Sequence, residues 1–355
     1  MNLGTELDAL IGAIPPLDRG AMDAARARQD QLTKPAGSLG RLEELSIRLA
    51  GMTGRVRPSF ASAAVIVGAG DHGITAEGVS AFPSEVTGQM VQNFLAGGAA
   101  INVLARQAGA RVVVVDFGVA SDLAGFDGLV HAKVAPGTRN FAREAAMSAE
   151  EAVRAISAGA TVVANEAVQG LDIVCLGEMG IGNTTPASAI TAALTAQPVS
   201  LVTGRGTGVD DATFRHKVEV IEGALALHQL GTGDPGGVLA AVGGFEIAGL
   251  VGVILAASAR RIPVIVDGFI TGAAALVAAR LAPASAEYMI ASHVSVECGH
   301  AVILEQLGVR ALVNLGMRLG EGSGAALALP IVRAAAALLD EMATFGEAGV
   351  SEGTP

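Results

Sequence analysis

The chain has 355 residues, of which 51% are hydrophobic and only 16% are charged, so it can bury a large core. Its formal net charge of −11 opposes binding to a polyanion. Aromatic residues make up only 3% of the chain, with no Trp and one Tyr, so few side chains could stack on nucleic-acid bases. The composition therefore predicts a soluble protein that binds neither nucleic acid nor a membrane.

Targeting signals and cysteine usage favour a cytoplasmic location. Residues 1–8 show neither the basic region nor the apolar core of a signal peptide. Cys175 and Cys298 are far apart in apolar surroundings, which is typical of buried thiols in a reducing compartment. The apolar stretch 247–259 is too short to span a bilayer, so we interpret it as a core element.

The first part of the chain is predicted to be helical and is more charged than the remainder. Amphipathic helices are expected over residues 19–33 and 41–52, and a last helix over 325–345 is followed by no strand. We therefore predict that residues 1–58 and 325–355 form a small helical domain.

Between these segments, short β-branched runs alternate with helical patterns. Strands are predicted at residues 64–68, 112–116, 173–176, 199–202, 264–267, 288–291 and 311–315. Helices are predicted at residues 85–107, 149–168, 211–230, 246–259 and 293–307. The strands are apolar throughout, which indicates a sheet covered on both faces. The fold class is therefore α/β, a doubly wound and mainly parallel sheet, forming a large Rossmann-like domain over residues 59–324.

Polar, glycine-containing turns follow most of the predicted strands. They contain Asp71 and His72, Asp116, Asp267, and Ser292 with His293. Any one of them could be a helix cap or a simple turn. Because the carboxyl ends of parallel strands meet at one edge of a sheet, we expect these turns to line one ligand crevice.

Two further turns each carry a glutamate among glycines. Glu178 lies in residues 176–185 (LGEMGIGNTT), and Glu321 lies in residues 320–324 (GEGSG). Glycines allow the backbone to approach a ligand closely, and each carboxylate would extend into the crevice. This pattern predicts carboxylate acid–base chemistry.

The segment after Glu178 resembles a phosphate-binding cradle. Glycines are followed by Asn183, Thr184 and Thr185, and then by Pro186 at an expected first helical position. Neither the lysine of a P-loop nor a convincing dinucleotide-binding fingerprint is present. The six histidines and two cysteines show no metal-ligand spacing, with Asp71 and His72 as the best remaining pair, so we predict no metal and no cofactor.

At these residues the chain resembles the nicotinate-nucleotide–dimethylbenzimidazole phosphoribosyltransferase family. The similarity runs nearly from end to end in order and spacing. It includes residues 34–43 (KPAGSLGRLE), 71–73 (DHG), 81–87 (AFPSEVT), 177–186 (GEMGIGNTTP), 243–245 (GGF), 267–269 (DGF) and 317–325 (MRLGEGSGA). Together these motifs are highly specific.

The resemblance implies transfer of ribose phosphate from nicotinate mononucleotide to dimethylbenzimidazole, giving α-ribazole phosphate and nicotinate. It implies that Glu321 is the general base, that Glu178 and Lys217 are supporting catalytic residues near the nucleotide, and that the protein is a homodimer. It places Phe82, Met90 and Leu319 around the base. We assign the nucleotide and its phosphate to Gly180, Asn183, Thr184, Thr185, Asp267 and Ser292. Phe82 stands where some family members carry a small polar residue, which leaves the preferred base open.

Other interpretations remain at the level of the sequence. Glu178 could be a capping carboxylate, and Lys217 could lie on a solvated helix face. The chain could be another phosphoribosyl- or nucleotide-processing enzyme; a diphosphate-dependent type would use an acidic pair, and Asp210 with Asp211 is such a pair. It could also be a non-catalytic nucleotide-binding protein, but that role gives no reason for Glu321 in an open glycine turn.

Overall fold

A six-stranded parallel sheet organises the computed structural model, which describes residues 4–206, 208 and 210–351. Residues 1–3 and 352–355 of the predicted terminal segments lie outside the described residues. The strands are β1 (Ala63–Gly70), β2 (Arg111–Gly118), β3 (Leu129–His131), β4 (Ile173–Met179), β5 (Val264–Val266) and β6 (Met289–Ala291). Their order across the sheet is β3-β2-β1-β4-β5-β6.

Helices fill the connections and both ends of the chain. The first seven are α1 (Gly4–Gly12), α2 (Arg19–Gln31), α3 (Arg41–Thr53), α4 (Glu85–Leu95), α5 (Ala100–Ala108), α6 (Ala149–Val168) and α7 (Thr184–Thr195). The others are α8 (Val199–Val202), α9 (Asp211–Leu227), α10 (Pro235–Val242), α11 (Phe245–Ala259), α12 (Phe269–Leu281), α13 (Cys298–Leu307), α14 (Ser323–Glu341) and α15 (Phe345–Ala348). Short 3₁₀ helices cover Gly73–Glu77 and Pro283–Tyr288.

The strand order reverses between β1 and β4, which defines the switch point of a doubly wound sheet. Connections on the two sides of such a point diverge, and a crevice opens beyond the carboxyl ends of the strands. In the pairing register of these two strands, Gly68 lies opposite Glu178. The glutamate therefore lies where the fold provides room for a ligand.

Helices cover both faces of the sheet, as the apolar strands predict. On one side α11 packs against α6 and α12, and on the other α14 packs against α5. The contact between α6 and α11 is close enough that a Cβ on Gly159 or Gly252 would overlap the backbone of the opposite helix. The predicted fold class, a doubly wound parallel α/β sheet, is confirmed.

One helix, α14, is long and apolar enough to cross a membrane by length and composition alone. However, 56% of its most apolar window is buried inside the molecule. It packs against α3, α5 and β4, which is the position of a core helix.

Helices from the two ends of the chain pack together. Ala21 and Ala25 of α2, Ala50 of α3 and Leu339 of α14 form a small apolar cluster separate from the main core. The Arg28 side chain adds a hydrogen bond from Nε to the Leu339 carbonyl oxygen at 2.7 Å. These contacts support a small helical domain, and we propose the division into residues 1–58 with 325–355 and residues 59–324.

Two predicted strands are wrong. Residues 199–202 form the helical turn α8, in which Val199 and Val202 are buried at helical spacing after Pro198. A four-residue apolar run does not distinguish a strand from a buried helical turn. Residues 311–315 form no strand; Val313 makes only an isolated bridge to His293, and Leu315 is exposed.

Other differences concern boundaries. The helix predicted at 85–107 is two helices, because Gly97 adopts a left-handed φ of +79° between α4 and α5. The helix predicted from residue 293 begins only at Cys298. The sequence analysis missed β3, whose three residues pair only with β2. By contrast, α6 occupies the predicted residues 149–168, and its start is fixed by a capping box between Ser148 and Glu151.

The two cysteines differ in their burial. Cys175 lies in β4 and is fully buried, as its apolar surroundings predict. Cys298 is exposed at the first residue of α13, so the prediction that it is buried is wrong. Its position at a helix start, after the polar turn that follows β6, explains the difference. Both thiols are free.

Candidate active site

A cavity of about 690 Å³ lies at the carboxyl ends of β4 and β5. Glu178 and Glu321 both line it, although they are far apart in the sequence. Other walls come from the Gly180–Thr184 turn, the start of α12, residues 293–297 and the segment from Phe82 into α4. The two glutamates therefore converge as predicted, although Glu178 lies within β4 and not in the turn that follows it.

Glu321 lies in a turn with an unusual backbone. Three consecutive residues have left-handed φ angles, with +85° at Gly320, +62° at Glu321 and +90° at Gly322. Glycine adopts such angles freely, but for a residue with a Cβ they cost on the order of 1 kcal/mol or more. The turn therefore holds a strained glutamate at the wall of the cavity, with only 7% of that residue exposed.

The carboxylate of Glu321 is held at the start of a helix. Its Oε2 accepts a hydrogen bond from the backbone N–H of Ile101 at 3.2 Å, and Ile101 lies in the first turn of α5. Burial raises the pKa of Glu321, and the hydrogen bond from Ile101 lowers it part of the way back. Within the described ranges Oε1 makes no hydrogen bond, so this oxygen is available to accept a proton.

Glu178 lies near the end of β4 and is in a different electrostatic state. Its Oε2 accepts a hydrogen bond from the side-chain amide of Asn183. Burial, reinforced by the carboxyl groups of Asp267, Glu246 and Glu321, raises the pKa of Glu178 to about 8, against the hydrogen bond from Asn183. Glu178 is therefore mostly protonated at neutral pH and is less suited than Glu321 to accept a proton.

Replacing Glu178 by glutamine should change how stability depends on pH. The pKa of Glu178 is about 8 in the folded state and 4.5 as the ordinary value, so between these pH values the native state binds more protons than the unfolded state. This group therefore makes the free energy of unfolding fall as pH rises through the window, by at most about 1.4 kcal/mol for each unit of pKa difference. Urea unfolding at pH 5 and pH 8 should show that the change in the free energy of unfolding from pH 5 to pH 8 is more positive for Glu178→Gln than for the wild type.

A matched control is Glu305→Gln, which changes an exposed carboxylate on α13. Its pH dependence should follow that of the wild type. An unchanged slope in Glu178→Gln would contradict the protonated state of Glu178.

Lys217 lies inside the protein, so the interpretation as a solvated helix face is wrong. This residue of α9 is 1% exposed, and its Nζ donates a hydrogen bond to Thr184 Oγ1 at 2.7 Å. It lines a small cavity of about 40 Å³ together with the Gly180–Thr184 turn. Burial lowers the pKa of Lys217 to about 8, while the carboxylate of Glu297 raises it, so the ammonium is still largely present at neutral pH.

The predicted cradle is divided between the cavity and the core. Gly180, Asn183 and Thr184 line both the large and the small cavity, and α7 begins at Thr184. The N-terminus of α7 therefore faces the space beside the Lys217 ammonium, which suits an anion. Thr185 is fully buried and lines neither cavity.

Asp267 and Ser292 lie behind the cavity wall instead of in it. Asp267 accepts hydrogen bonds from the N–H groups of Gly322 at 3.2 Å and Ala325 at 2.9 Å. Ser292 Oγ donates to the backbone oxygen of Asp267 at 2.8 Å. Burial raises the pKa of Asp267 to about 7, although these backbone N–H groups lower it. The turn containing Glu321 covers Asp267, Ser292 is fully buried behind Asp267, and neither residue lines the cavity, so the geometry does not support their direct contact with a nucleotide.

The residues assigned to the base pocket form an apolar edge of the cavity. Phe82 is 51% exposed and Leu319 is 56% exposed, while Met90 is half-buried. Val86 and Met90 lie four residues apart on α4 and so share one face of that helix. This edge offers apolar contact to a flat ligand.

The site assignments made from the sequence did not include two charged residues of the cavity wall, Glu297 and Arg318, whereas the turn of His293 was predicted to line the crevice and does so. Glu297 is buried with Oε2 unpartnered among the described side chains, and Arg318 donates to the Gly206 carbonyl oxygen at 2.9 Å. The motif at residues 317–325 contains Arg318, so this residue could have been assigned from the sequence. Glu297 follows the turn of His293 by only a few positions, but nothing in its local pattern indicated burial.

The other predicted polar pair is internal. His72 Nε2 lies 2.8 Å from Glu246 Oε1, and Asp71 Oδ2 accepts from the backbone N–H of Ala120. Burial opposes the charged imidazole, but Glu246 and Asp71 outweigh it and raise the pKa of His72. In residues 4–206, 208 and 210–351, no group of three or more His, Cys, Asp or Glu side chains is arranged to hold a metal ion.

The chain is similar to known proteins over almost its whole length. A family model described as a phosphoribosyltransferase matches residues 14–350. A nicotinate-nucleotide–dimethylbenzimidazole phosphoribosyltransferase of Chloroflexus aggregans is 61% identical over 347 residues, covering 98% of each chain. The one from Geobacter sulfurreducens is 54% identical over 350 residues, covering 98% of this chain and 99% of the relative. A crystal structure of such an enzyme from Thermus thermophilus matches with a TM-score of 0.90 and 47% identity, covering 95% of this chain and 100% of that one.

Proposed function

We infer that this chain, which belongs to the nicotinate-nucleotide–dimethylbenzimidazole phosphoribosyltransferase family, carries out that transfer in cobalamin synthesis. It moves the phosphoribosyl group of nicotinate mononucleotide to 5,6-dimethylbenzimidazole or a related base, giving α-ribazole 5′-phosphate and nicotinate. The observation that carries the mechanism is Glu321, a strained and buried carboxylate that lines the cavity with one oxygen unpartnered among the described residues.

The chemistry requires a base more than it requires an acid. The donor holds its leaving group as a pyridinium, so when the bond between the anomeric carbon and that nitrogen breaks, nicotinate departs with a neutral ring. One nitrogen of the benzimidazole forms the new bond to the anomeric carbon, and the other nitrogen must lose its proton. Glu321 takes that proton, and its raised pKa makes it a stronger base than an exposed glutamate.

The phosphate of the nucleotide is proposed to lie between Lys217 and the start of α7. Backbone N–H groups at the helix N-terminus and the ammonium beside Thr184 suit its charge. Glu178 and Asn183 then lie between this end of the cavity and Glu321, where they position the nucleotide.

The alternative of a diphosphate-dependent enzyme has less support. Asp210 caps α9 by accepting from Thr213 N–H at 2.8 Å, and Asp211 is ion-paired with Arg205. Both carboxylates are thus used at a helix start. The test is nicotinate release from nicotinate mononucleotide with and without a benzimidazole. Release that depends on the benzimidazole is expected. Release without it, or no release, would overturn the proposal.

Shortening Phe82 should change the choice of base. Phe82→Ala removes an exposed ring from the apolar edge of the cavity, so we expect a shifted ranking among benzimidazoles of different size. The KM for the nucleotide should change little. Steady-state rates with a series of substituted benzimidazoles provide the measurement.

The control for this variant is Leu227→Ala, which removes an equally exposed apolar side chain from the end of α9. It should leave the ranking unchanged. If Phe82→Ala slows every base by the same factor, the residue has no part in choosing the acceptor.

We also propose that the protein is a homodimer in the cytoplasm. The family resemblance supports the dimer, and two free thiols support a reducing compartment. Light scattering should give twice the 35.4 kDa mass of one chain, and a monomer in solution would overturn the dimer. Cell fractionation tests the location.

A further inference from the structure

We propose that Asp267 is a positioning residue that holds the turn of Glu321 in the geometry needed for proton transfer. This inference rests on the proposed role of Glu321 as the general base. It replaces the sequence-based assignment of Asp267 to the nucleotide, because its side chain acts on the turn and not on a ligand.

The first support is the hydrogen bonding of the carboxylate. Asp267 Oδ2 accepts from the N–H of Gly322, the residue directly after Glu321, and Oδ1 accepts from the N–H of Ala325 in the first turn of α14. One side chain therefore joins the turn to the helix that follows it. Bonds from backbone N–H groups to a carboxylate are stronger than neutral ones, and the helix N-terminus favours the negative charge.

The second support is the strain of the turn. A glutamate with φ of +62° persists only where its surroundings fix the backbone. From the sheet side, a Cβ on Gly322 would lie 2.7 Å from Val65 Cγ1, and a Cβ on Gly177 would overlap the Glu321 carbonyl oxygen. The turn thus packs closely against β1 and β4 on one side, and on another it is hydrogen-bonded to Asp267 at the end of β5.

The third support is the position of Asp267 relative to the cavity. The residue is 1% exposed and does not line the cavity, whereas its neighbour Gly268 does. Its own backbone is fixed by the hydrogen bond from Ser292 Oγ. Asp267 can therefore affect the reaction only through the groups that it contacts, which besides the turn include His293, with Nδ1 3.9 Å from Oδ1.

The test is Asp267→Asn, which keeps the shape but presents an amide N–H₂ where one oxygen accepted a backbone N–H. We expect kcat to fall by about 10- to 100-fold, because small misplacements of a reacting group carry costs of this order. The KM for nicotinate mononucleotide should stay within about twofold, since the cradle and Lys217 are untouched. A normal kcat, or a loss confined to KM, would overturn the proposal.

A matched control is Asp116→Asn. Asp116 is equally buried, lies near the end of β2 and accepts from the N–H of Val119 at 2.8 Å. The prediction that its turn lines the crevice is wrong, because Asp116 does not line the cavity. Its replacement should lower the melting temperature without lowering kcat. A similar fall of kcat in both variants would show that Asp267 contributes only to general stability.

A double-mutant cycle separates this inference from the role of Glu321. If Asp267 acts through the Glu321 carboxylate, adding Asp267→Asn to Glu321→Gln should reduce kcat by less than about threefold further. If the losses of kcat in the two single variants multiply in the double variant, the positioning role is overturned and the base assignment stays intact. A near-normal kcat in Glu321→Gln alone would instead overturn the base assignment. If circular dichroism shows Asp267→Asn to be unfolded, Asp267→Ser, with its smaller side chain, replaces it in the same double-mutant cycle.

Discussion

Replacing Glu321 by glutamine should lower kcat by about 10²–10⁴, the usual range for loss of a positioned acid–base group. Glutamine keeps the size of the side chain and can still accept the hydrogen bond from Ile101, but it cannot take the acceptor's proton. Nucleotide binding should be retained, because Lys217 and the start of α7 are unchanged. Steady-state nicotinate release and calorimetric titration with the nucleotide measure the two quantities.

The pH profile gives this experiment a second readout. The carboxylate is the active form, so kcat of the wild type should fall as pH drops through the pKa of Glu321, which burial places above the ordinary glutamate value. That acid limb should vanish in Glu321→Gln. Glu178→Gln is the comparison variant and should cost less, acting through the nucleotide. A near-normal kcat in Glu321→Gln would refute the assignment, and a large loss confined to Glu178→Gln would move the base to that residue.

Replacing Lys217 by methionine should lower kcat/KM for nicotinate mononucleotide by about 10- to 100-fold. Methionine keeps an unbranched apolar stem in the buried position but removes the ammonium beside Thr184. A hydrogen bond to a charged group contributes about 1.5–3 kcal/mol, which corresponds to that range. Steady-state kinetics with the nucleotide varied gives the measurement.

A donor without its phosphate shows whether this loss arises from phosphate binding. With the riboside of nicotinate as donor, wild type and Lys217→Met should differ by less than about threefold. The control is Lys133→Met, which breaks an ion pair with Asp116 away from the cavity. It should leave kcat/KM unchanged with both donors. If kcat/KM of Lys217→Met falls by the same factor with both donors, the role of Lys217 is not to bind the phosphate.

The sequence predicts the arrangement of helices around the sheet well, because a long element repeats its apolar pattern over several turns. The helix at 149–168 shows apolar periodicity over its whole length and a capping box, so its extent is determined locally. The run at 199–202 has only four residues, and its conformation depends on packing of Val199 and Val202 in the tertiary structure. The glycines of the sequence located the turn of Glu321, because only a few residue types allow the left-handed backbone found there, whereas Glu178 lies in β4 with no such backbone.

The roles of individual side chains depend on contacts that no local pattern contains. Lys217 has the sequence surroundings of an exposed helical lysine, yet α9 buries it beside Thr184, 33 positions away in the chain. Asp267 has the sequence surroundings of a ligand-binding strand end, yet the turn of Glu321 covers it. In both cases the direction of the side chain is decided by which distant segment packs on it.

The protonated state of Glu178 links donor binding to the uptake and release of protons. A carboxyl group with a pKa of about 8 keeps its proton at neutral pH, and an incoming pyridinium cation favours the ionised form. We therefore expect entry of the nucleotide to release protons from Glu178 into water, and departure of the neutral pyridine ring of nicotinate to reverse this release. By linkage, we expect the donor to bind more tightly in mildly alkaline solution than in acid, and the product to lose this attraction once its ring has lost the positive charge.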